Sequence, residues 1–513
     1  MKPKSILAAA MSVVLFSLPS LPASAQFVCT TNADGASLTL TGYTGSDTDL
    51  TVPATIGGLP VTIIGPSAFA SSATLTSVSL PVGVTNLGNN AFAYCDSLAA
   101  VSLPAGLTTI GNSAFAGSGL AAVTLPDSVT ALGQYAFDGC TSLATVSTGN
   151  GITGIGYETF LYCTRLTDVT LGTNLTIIGN NAFENCYSLA GLTLPAGVTT
   201  LGSLAFYGCS SLTNILLPAN ITSLGQQAFA NCSSLATATL AGAAPTLPVG
   251  LFQNCHALAA VSLPAGLTGI GQNAFASCSS LTRLTLPAGV TAIGATAFTS
   301  AGLTNIFLPA SVTSLGQGAF IHCASLAAIT ADPLNPAFAS VNGVLFDSSL
   351  TTLIAYPGGL AGGYVVPAGI TTIAPSAFQQ CLALTAVTLP PSISAIGAGA
   401  FEQCSSLTNI TFLGRAPIVA SSAFSVDTHA AITYPVGGAG WSTSLYGVPA
   451  QPAAGFAFQI TATNSSVVVE ACTDLCNPAW VPLQTVTLTN GSAWFTDLQW
   501  TNYPCRFYRL SPP

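Results

Sequence analysis

The sequence predicts a mainly β protein, a solenoid of about fifteen 23-residue coils followed by a small antiparallel β-sandwich module. A phenylalanine, most often preceded by alanine, returns at a nearly constant interval. Apolar residues arrive in short pulses at period two, separated by Gly, Pro, Asn and Thr, the pattern of short strands and turns. The last stretch of the chain loses the interval and gains tryptophan. Half of the residues are apolar and only 4% are charged, against about 25% charged in an ordinary globular chain. Mean hydropathy is +0.64, yet beyond the first 25 residues Ser, Thr, Gly, Asn and Pro break every apolar run. None reaches the roughly 18 residues a membrane span needs. A polytopic membrane protein and a disordered chain are both excluded.

Residues 1–25 read as an export signal. Lys2 and Lys4 supply the positive start, Ile6 to Leu18 the apolar stretch, and Ala23-Ser24-Ala25 the small-residue cleavage site. Residues 26–65, through Phe27, Ile56, Leu59 and Ile64, are expected to cap the stack, because an open coil exposes apolar side chains and strand edges. Residues 66–450 are the repeat. Its marker phenylalanines run from Phe69 to Phe320 in nine steps of 23 and two of 22, and resume at Phe378, Phe401 and Phe424 after an extended insert at 324–377. The coil Leu98 to Phe115 shows the expected chemistry. Val101 and Leu103 share one face of a strand that Pro104 ends. Leu107 and Ile110 re-enter the core, Gly111 is read as a tight corner, and Ala114 with Phe115 fills the interior. Phe92, Phe115, Phe183, Phe206, Phe229 and Phe275 are assigned to that core. Each coil buries its apolar face only against its neighbours.

A C-terminal cap is expected at 425–450, through Ile432 to Tyr434 and Trp441. Residues 451–513 then form the β-sandwich module, with strands near Phe456–Ile460, Val467–Glu470 and Thr485–Leu488, and a hairpin turn at Asn490-Gly491.

The residues L-x-x-V/I-x-L-P, V-T-x-I-G, A-F and C-x-x-L resemble the leucine-rich repeats of the BspA-like family, over about residues 27–450. The insert resembles the longer units of that family through Asp332 to Pro336, Asn342 to Phe346 and Leu353 to Pro357. The resemblance implies a bacterial surface or secreted protein used in adhesion and partner binding. It does not fix a ligand.

Eleven of the 15 cysteines stand three residues after a marker phenylalanine, from Cys95 to Cys404. Ser118 and Ala301 take that place before the two 22-residue steps. Adjacent Cβ vectors in such a column run parallel, which does not suit a disulfide. The column is therefore expected to be buried thiols acting as small hydrophobes. No clustered His or second Cys completes a zinc set, and no cofactor or metal is expected. Cys472, Cys476 and Cys505 lie outside the column, and two of them are candidates for a disulfide that staples the terminal module.

No nucleophile elbow or P-loop occurs, nor a glycine fingerprint entering a helix. Glu158, Glu184 and Glu402 fall on different coils and offer no carboxylate pair. Asp47 and Asp49 are too few oxygens for a calcium cage. With the signal removed, five arginines face 16 acidic residues, a net charge of −11 with no lysine. That excludes the basic patch a nucleic acid requires. The expected product has no membrane span and works outside the cytoplasm.

The outward strand positions are mostly Ala, Thr and Ser. Asp168, Asn214 with Leu216, Arg283, and Asn305 with Phe307 break this pattern and are the candidate ligand-binding residues, since arginine and aromatics concentrate binding energy. The leading expectation is a non-catalytic protein that binds an extracellular protein or glycan through the solenoid face. Two alternatives stay open: a structural, self-associating envelope component, and a carbohydrate-binding accessory that works through the terminal module.

Overall fold

The structure is a computed structural model, and it describes residues 13–16, 27–242, 244–425, 430–435, 439–442, 444–445, 448–452, 456–461, 466–473, 479–488, 492–497 and 507–512. No helix occurs among them, and none is therefore long and apolar enough to cross a membrane. The chain is a β-solenoid of about 17 turns of about 23 residues, more than the phenylalanines mark. Two compact units divide it, Met1–Leu303 with Ser311–Ala319, and Thr304–Ala310 with Phe320–Pro513.

Most coils of the first unit contribute three walls. The L-x-x-V-x-L segment gives a short strand, as in Ala122–Thr124, Thr145–Ser147 and Asp168–Thr170, which pair in parallel and in register. The T-x-I-G segment gives a two-residue strand, as in Asn86–Leu87, Thr109–Ile110 and Ala131–Leu132. The threonine ahead of it donates to the same residue one coil back, Thr108 Oγ1 to Thr85 O at 3.1 Å and Thr176 Oγ1 to Thr153 O at 3.0 Å. The third wall is a stack of turns around the marker phenylalanine.

That turn wall is the most regular part of the molecule. Phe92, Phe115, Phe183, Phe206, Phe229 and Phe275 are fully buried. From Phe69 to Phe298 each ring lies nearly parallel to the next, with centroids 4.9 Å apart at Phe69–Phe92 and 5.3 Å at Phe183–Phe206. At this distance parallel rings are offset, the arrangement their quadrupoles favour. Each phenylalanine N–H donates to a carbonyl of the next coil, Phe92 to Ala114 at 2.7 Å and Phe183 to Ala205 at 2.8 Å. The residues two before and two after the phenylalanine take left-handed backbone angles: Asn90 (φ 58°) and Tyr94 (φ 57°), Asn181 (φ 56°) and Asn185 (φ 59°). Glycine holds the second place at Gly117, Gly139 and Gly208.

The column thiols are more than small hydrophobes. In ten of the eleven coils the Sγ donates to the carbonyl of the aromatic marker one coil back, as in Cys95 to Phe69 at 3.0 Å, Cys209 to Phe183 at 3.2 Å and Cys404 to Phe378 at 2.9 Å. A buried carbonyl left unpaired is costly, so the thiol supplies a donor that alanine lacks. Burial raises the thiol pKa to about 11 at Cys140 and about 12 at Cys209. Ser118 keeps the polar place and meets Cys140 Sγ at 3.4 Å.

Gly111 does not turn a corner with a positive φ. A Cβ there would come within 2.6 Å of the Asn89 nitrogen, so the glycine is required by close backbone approach between coils. Gly119 has the same reason at the shortened corner after Ser118, where a Cβ would lie 2.2 Å from Asp96 O.

At the start, Phe27–Thr31 pairs antiparallel with Leu38–Tyr43, which pairs in parallel with Leu59–Ile64. Val13–Phe16, inside the apolar stretch read as the signal, adds an antiparallel strand to Phe27–Thr31; the rest of residues 1–26 lies outside the described residues. Asp47 accepts from the Tyr43 hydroxyl at 2.7 Å and Asp49 from Ser77 at 2.6 Å.

In the second unit the insert forms antiparallel strands Phe338–Val341, Val344–Asp347 and Thr352–Ala355. The last of these rejoins the parallel register at Thr372–Ile373. Tyr356 takes the phenylalanine's place: its ring lies 4.9 Å from that of Phe378 and its carbonyl accepts from Cys381. The repeat thus persists through an Ala-Tyr pair.

The terminal residues form two antiparallel sheets. Phe456–Thr461 pairs with Ser492–Asp497, and Ser466–Cys472 lies between Val481–Thr487 and Phe507–Ser511. Ile460, Val467, Val469, Val486 and Phe495 close the core between them. The strands on either side of Asn490-Gly491 belong to different sheets, and the turn expected there lies outside the described residues. Cys472 is a buried free thiol, and Cys476 and Cys505 lie outside the described residues. Trp480 is covered by the Arg509 guanidinium at 4.6 Å, which Glu470 holds at 2.6 Å.

Candidate binding surface on the strand wall

The strand wall is where side chains differ most from coil to coil. The residue just ahead of the inward Val or Ile and the residue between the two inward positions both face solvent, because successive side chains of a strand alternate. Asp168, Asn214, Leu216 and Arg283 are all exposed, Leu216 to 60%. In the second unit Asn305 and Phe307 are exposed on Asn305–Leu308, Phe307 to 50%. Arg283 thus belongs to one compact unit and the other two to the second.

Two coils of the first unit lack the strand. Asp168–Thr170 ends one parallel sheet and Asn214–Leu217 begins the next, and the coil between them, Gly191 to Leu194, forms no ladder. The segment 282–286, which carries Arg283, likewise has none. Both coils carry leucine where the others carry Val, Ile or Ala: Leu192 and Leu284 stand in the column of Val123, Val146, Val169, Ile215 and Ala238. Leucine branches at Cγ, packs less well on a pleated surface and has the lower strand propensity. The sequence therefore held a signal for the interruption, which periodicity alone does not reveal.

The interruption at Gly191 opens a groove of about 550 Å³. Asp168 and Asn214 line it, one from each flanking strand, with Gly191, Leu192 and Thr193 on its floor. The space above Gly191 is empty, since a Cβ there would meet nothing within 4 Å. The Asp168 backbone is bonded to Ala144 O, while its carboxylate makes no hydrogen bond or ion pair among the described residues. Asn214 Nδ2 donates to Thr213 Oγ1 at 3.2 Å. The groove is therefore acidic, rich in main-chain polar groups, and bordered by the exposed Leu216.

The remaining titratable groups lie elsewhere. Asp138 has a raised pKa, from burial first and then from the charge of Glu158 on the neighbouring coil. Asn181 and Asn185 donate to Glu184, and Gln379 to Glu402. His256 Nδ1 lies 2.9 Å from Ser277 O, and His429 falls outside the described residues.

The family model for the BspA type leucine-rich repeat region, a block of six copies, matches residues 62–190, 153–267, 245–357 and 364–437. The chain belongs to this leucine-rich repeat family. Among solved structures, a leucine-rich repeat protein from Bacteroides ovatus is 21% identical, covering 77% of this chain and 95% of its own, at a TM-score of 0.46. A leucine-rich cell surface protein from Faecalibacterium prausnitzii is 24% identical over 84% of this chain and 91% of its own, at 0.28. A leucine-rich repeat protein from Bacteroides capillosus is 34% identical over 23% of this chain and 91% of its own, at 0.21. No curated protein matches the chain.

Proposed function

We propose that the chain is an exported, non-catalytic protein that binds a protein or glycan outside the cell through its strand wall. The observation that carries this reading is the groove at Gly191, where the wall's outward pattern changes and Asp168 and Asn214 face each other across an open floor. The export pattern of residues 1–25 supports the location. A near-uncharged wall interrupted by a few distinctive side chains suits recognition at few points, since a handful of residues carry most binding energy. The test is retention of the full chain on immobilised extracellular-matrix proteins and on a glycan array, beside light scattering across a concentration series. Retention by particular ligands supports the reading. Concentration-dependent assembly without retention would replace it with a self-associating envelope role.

A further inference from the structure

We infer that the turn wall of the first unit carries a binding surface for a neutral polysaccharide, laid along the stack from Tyr94 to Tyr187. This goes beyond the strand-wall reading and does not depend on it. The first observation is placement. Tyr94, Tyr135, Tyr157, Tyr162, Tyr187 and Tyr207 all flank marker phenylalanines, and the next tyrosine along the chain is Tyr356. Tyr94, Tyr162, Tyr187 and Tyr157 are exposed to 64%, 47%, 44% and 36%, and no tyrosine elsewhere among the described residues is exposed. These rings stand outside the buried phenylalanine stack, so packing does not account for them.

The second observation is shape. Tyr94 and Tyr162 both stand two residues after their phenylalanine, in the left-handed column whose two intervening members are Gly117 and Gly139. A Cβ at Gly117 would come 2.8 Å from Tyr94 Cδ1, so the Tyr94 ring lies across that glycine. A Cβ at Gly139 would meet only the Gly117 main chain, at 3.8 Å. The glycines leave a shallow seat between two aromatic ends, about 15 Å apart at strand spacing. In the coils of this seat, ahead of the phenylalanines, Tyr135 and Tyr157 meet edge to face at 5.3 Å.

The third observation is chemistry. Asp138, Glu158 and Glu184 fall among the rings. The Tyr157 hydroxyl donates to Glu158, and Asn181 and Asn185 donate to Glu184. Aromatic rings pack on the C–H faces of pyranoses, and carboxylates accept strong hydrogen bonds from hydroxyls. The centre of a protein interface is depleted of charge, whereas here carboxylates separate the rings. The same carboxylates repel sulfated and uronate chains. A repeating ligand also matches a surface whose parts recur coil by coil.

The experiment titrates the full chain by calorimetry with cellohexaose, xylohexaose, mannohexaose and chitohexaose, and with hexagalacturonate as the anionic probe. Tyr94→Asn and Tyr162→Asn put at φ 57° and 54° the residue that Asn185 and Asn231 already hold at φ 59° and 60°, so both variants fold. Expected is saturable binding of a neutral hexasaccharide, weakened about tenfold by either variant. Tyr162→Phe keeps the ring and should nearly keep the affinity. Asp168→Asn, on the strand wall, should leave it unchanged. Binding that survives the combined Tyr94→Asn and Tyr162→Asn, that favours hexagalacturonate, or that is lost in Asp168→Asn overturns the inference. Failure of every hexasaccharide to bind overturns it too. Each of these outcomes leaves the strand-wall reading standing.

Discussion

The turn wall and the strand wall of the first unit are built by the same coils, yet one is uninterrupted and the other is not. On the turn wall every coil from Phe69 to Phe298 repeats the ring stack and the Phe N–H to carbonyl bond. On the strand wall the ladder stops between Ala100–Ser102 and Ala122–Thr124, at Gly191–Leu194 and again at 282–286. The difference lies in what fixes each wall. A buried phenylalanine, a thiol bonded to a carbonyl and two left-handed residues leave a coil one conformation. The strand wall depends on two inward apolar residues and on outward ones that are mostly exposed to solvent. A solenoid thus separates the wall that holds the stack from the wall free to vary, which is where the proposed partner would be read.

Alkaline pH tests the first wall most severely. A thiol in the unfolded chain ionises near 9.0, whereas burial holds the folded pKa at about 11 for Cys95 and Cys140 and about 12 for Cys209, Cys255 and Cys404. Between these values the native chain keeps protons that the unfolded chain has lost, so raising the pH favours unfolding. The stability is fully present below pH 9 and falls above it by up to about 1.4 kcal/mol per pH unit for each such thiol. Guanidinium midpoints measured at pH 7, 8, 9 and 10 should be flat to about 8.5 and then drop steeply. A flat profile to pH 10 would mean that the column is accessible to water.

The next largest effect separates the walls directly. Phe183 stacks between Phe160 at 5.2 Å and Phe206 at 5.3 Å, and Phe183→Ala should cost about 3–5 kcal/mol. In a stack of coupled coils it also weakens both neighbouring interfaces. Arg283→Ala, on the strand wall, should change stability by no more than about 0.5 kcal/mol. Denaturant melts of the two variants read by tyrosine fluorescence should differ widely, and equal midpoints would contradict the assignment of the walls.

What the sequence made legible follows this division. The Phe and Cys columns can be read because one residue type recurs in nearly every coil. The left-handed positions are harder to read, because Tyr94, Glu158, Leu204 and Thr296 share no chemistry with one another; the recurrent asparagines, and glycines such as Gly117, Gly139, Gly208, Gly250, Gly318 and Gly399, hint at them. The role of Gly111 was misread for the same reason, since close approach between coils is invisible in one coil alone. Tyr356 was hidden by a change from Phe to Tyr, and the Gly191 groove by a change from Val to Leu, each within an apolar class that periodicity treats as equal.

Thr296 sharpens the account of the turn wall with a smaller effect in the opposite direction. It is β-branched at φ 53°, a region that suits glycine or asparagine. Its hydroxyl bonds Asn273 Oδ1 and the Ala295 carbonyl, which offsets part of the strain. Thr296→Gly should raise stability by about 1 kcal/mol, with the strain released outweighing the bonds lost. A lower melting midpoint would show that the hydroxyl bonds, and not the backbone angle, dominate at that corner.

The smallest expected change in stability carries the most about the strand wall. Leu192→Val replaces the leucine of the interrupted coil with the residue found at Val146 and Val169 in the preceding coils, which do pair. The variant loses one methylene, worth about 0.8 kcal/mol of burial, and gains strand propensity and the ladder bonds that Gly191 to Leu194 lack. The two terms nearly cancel, so the melting midpoint should scarcely move. Hydrogen exchange should move instead. Amides at Gly191 to Leu194 should exchange quickly in the natural chain and become protected in Leu192→Val, while those of Asn214–Leu217 stay as they were. Leu284→Val should do the same for its own coil. Amides that stay fast in both variants would show that leucine is not what interrupts the wall, and would shift the cause to Gly191.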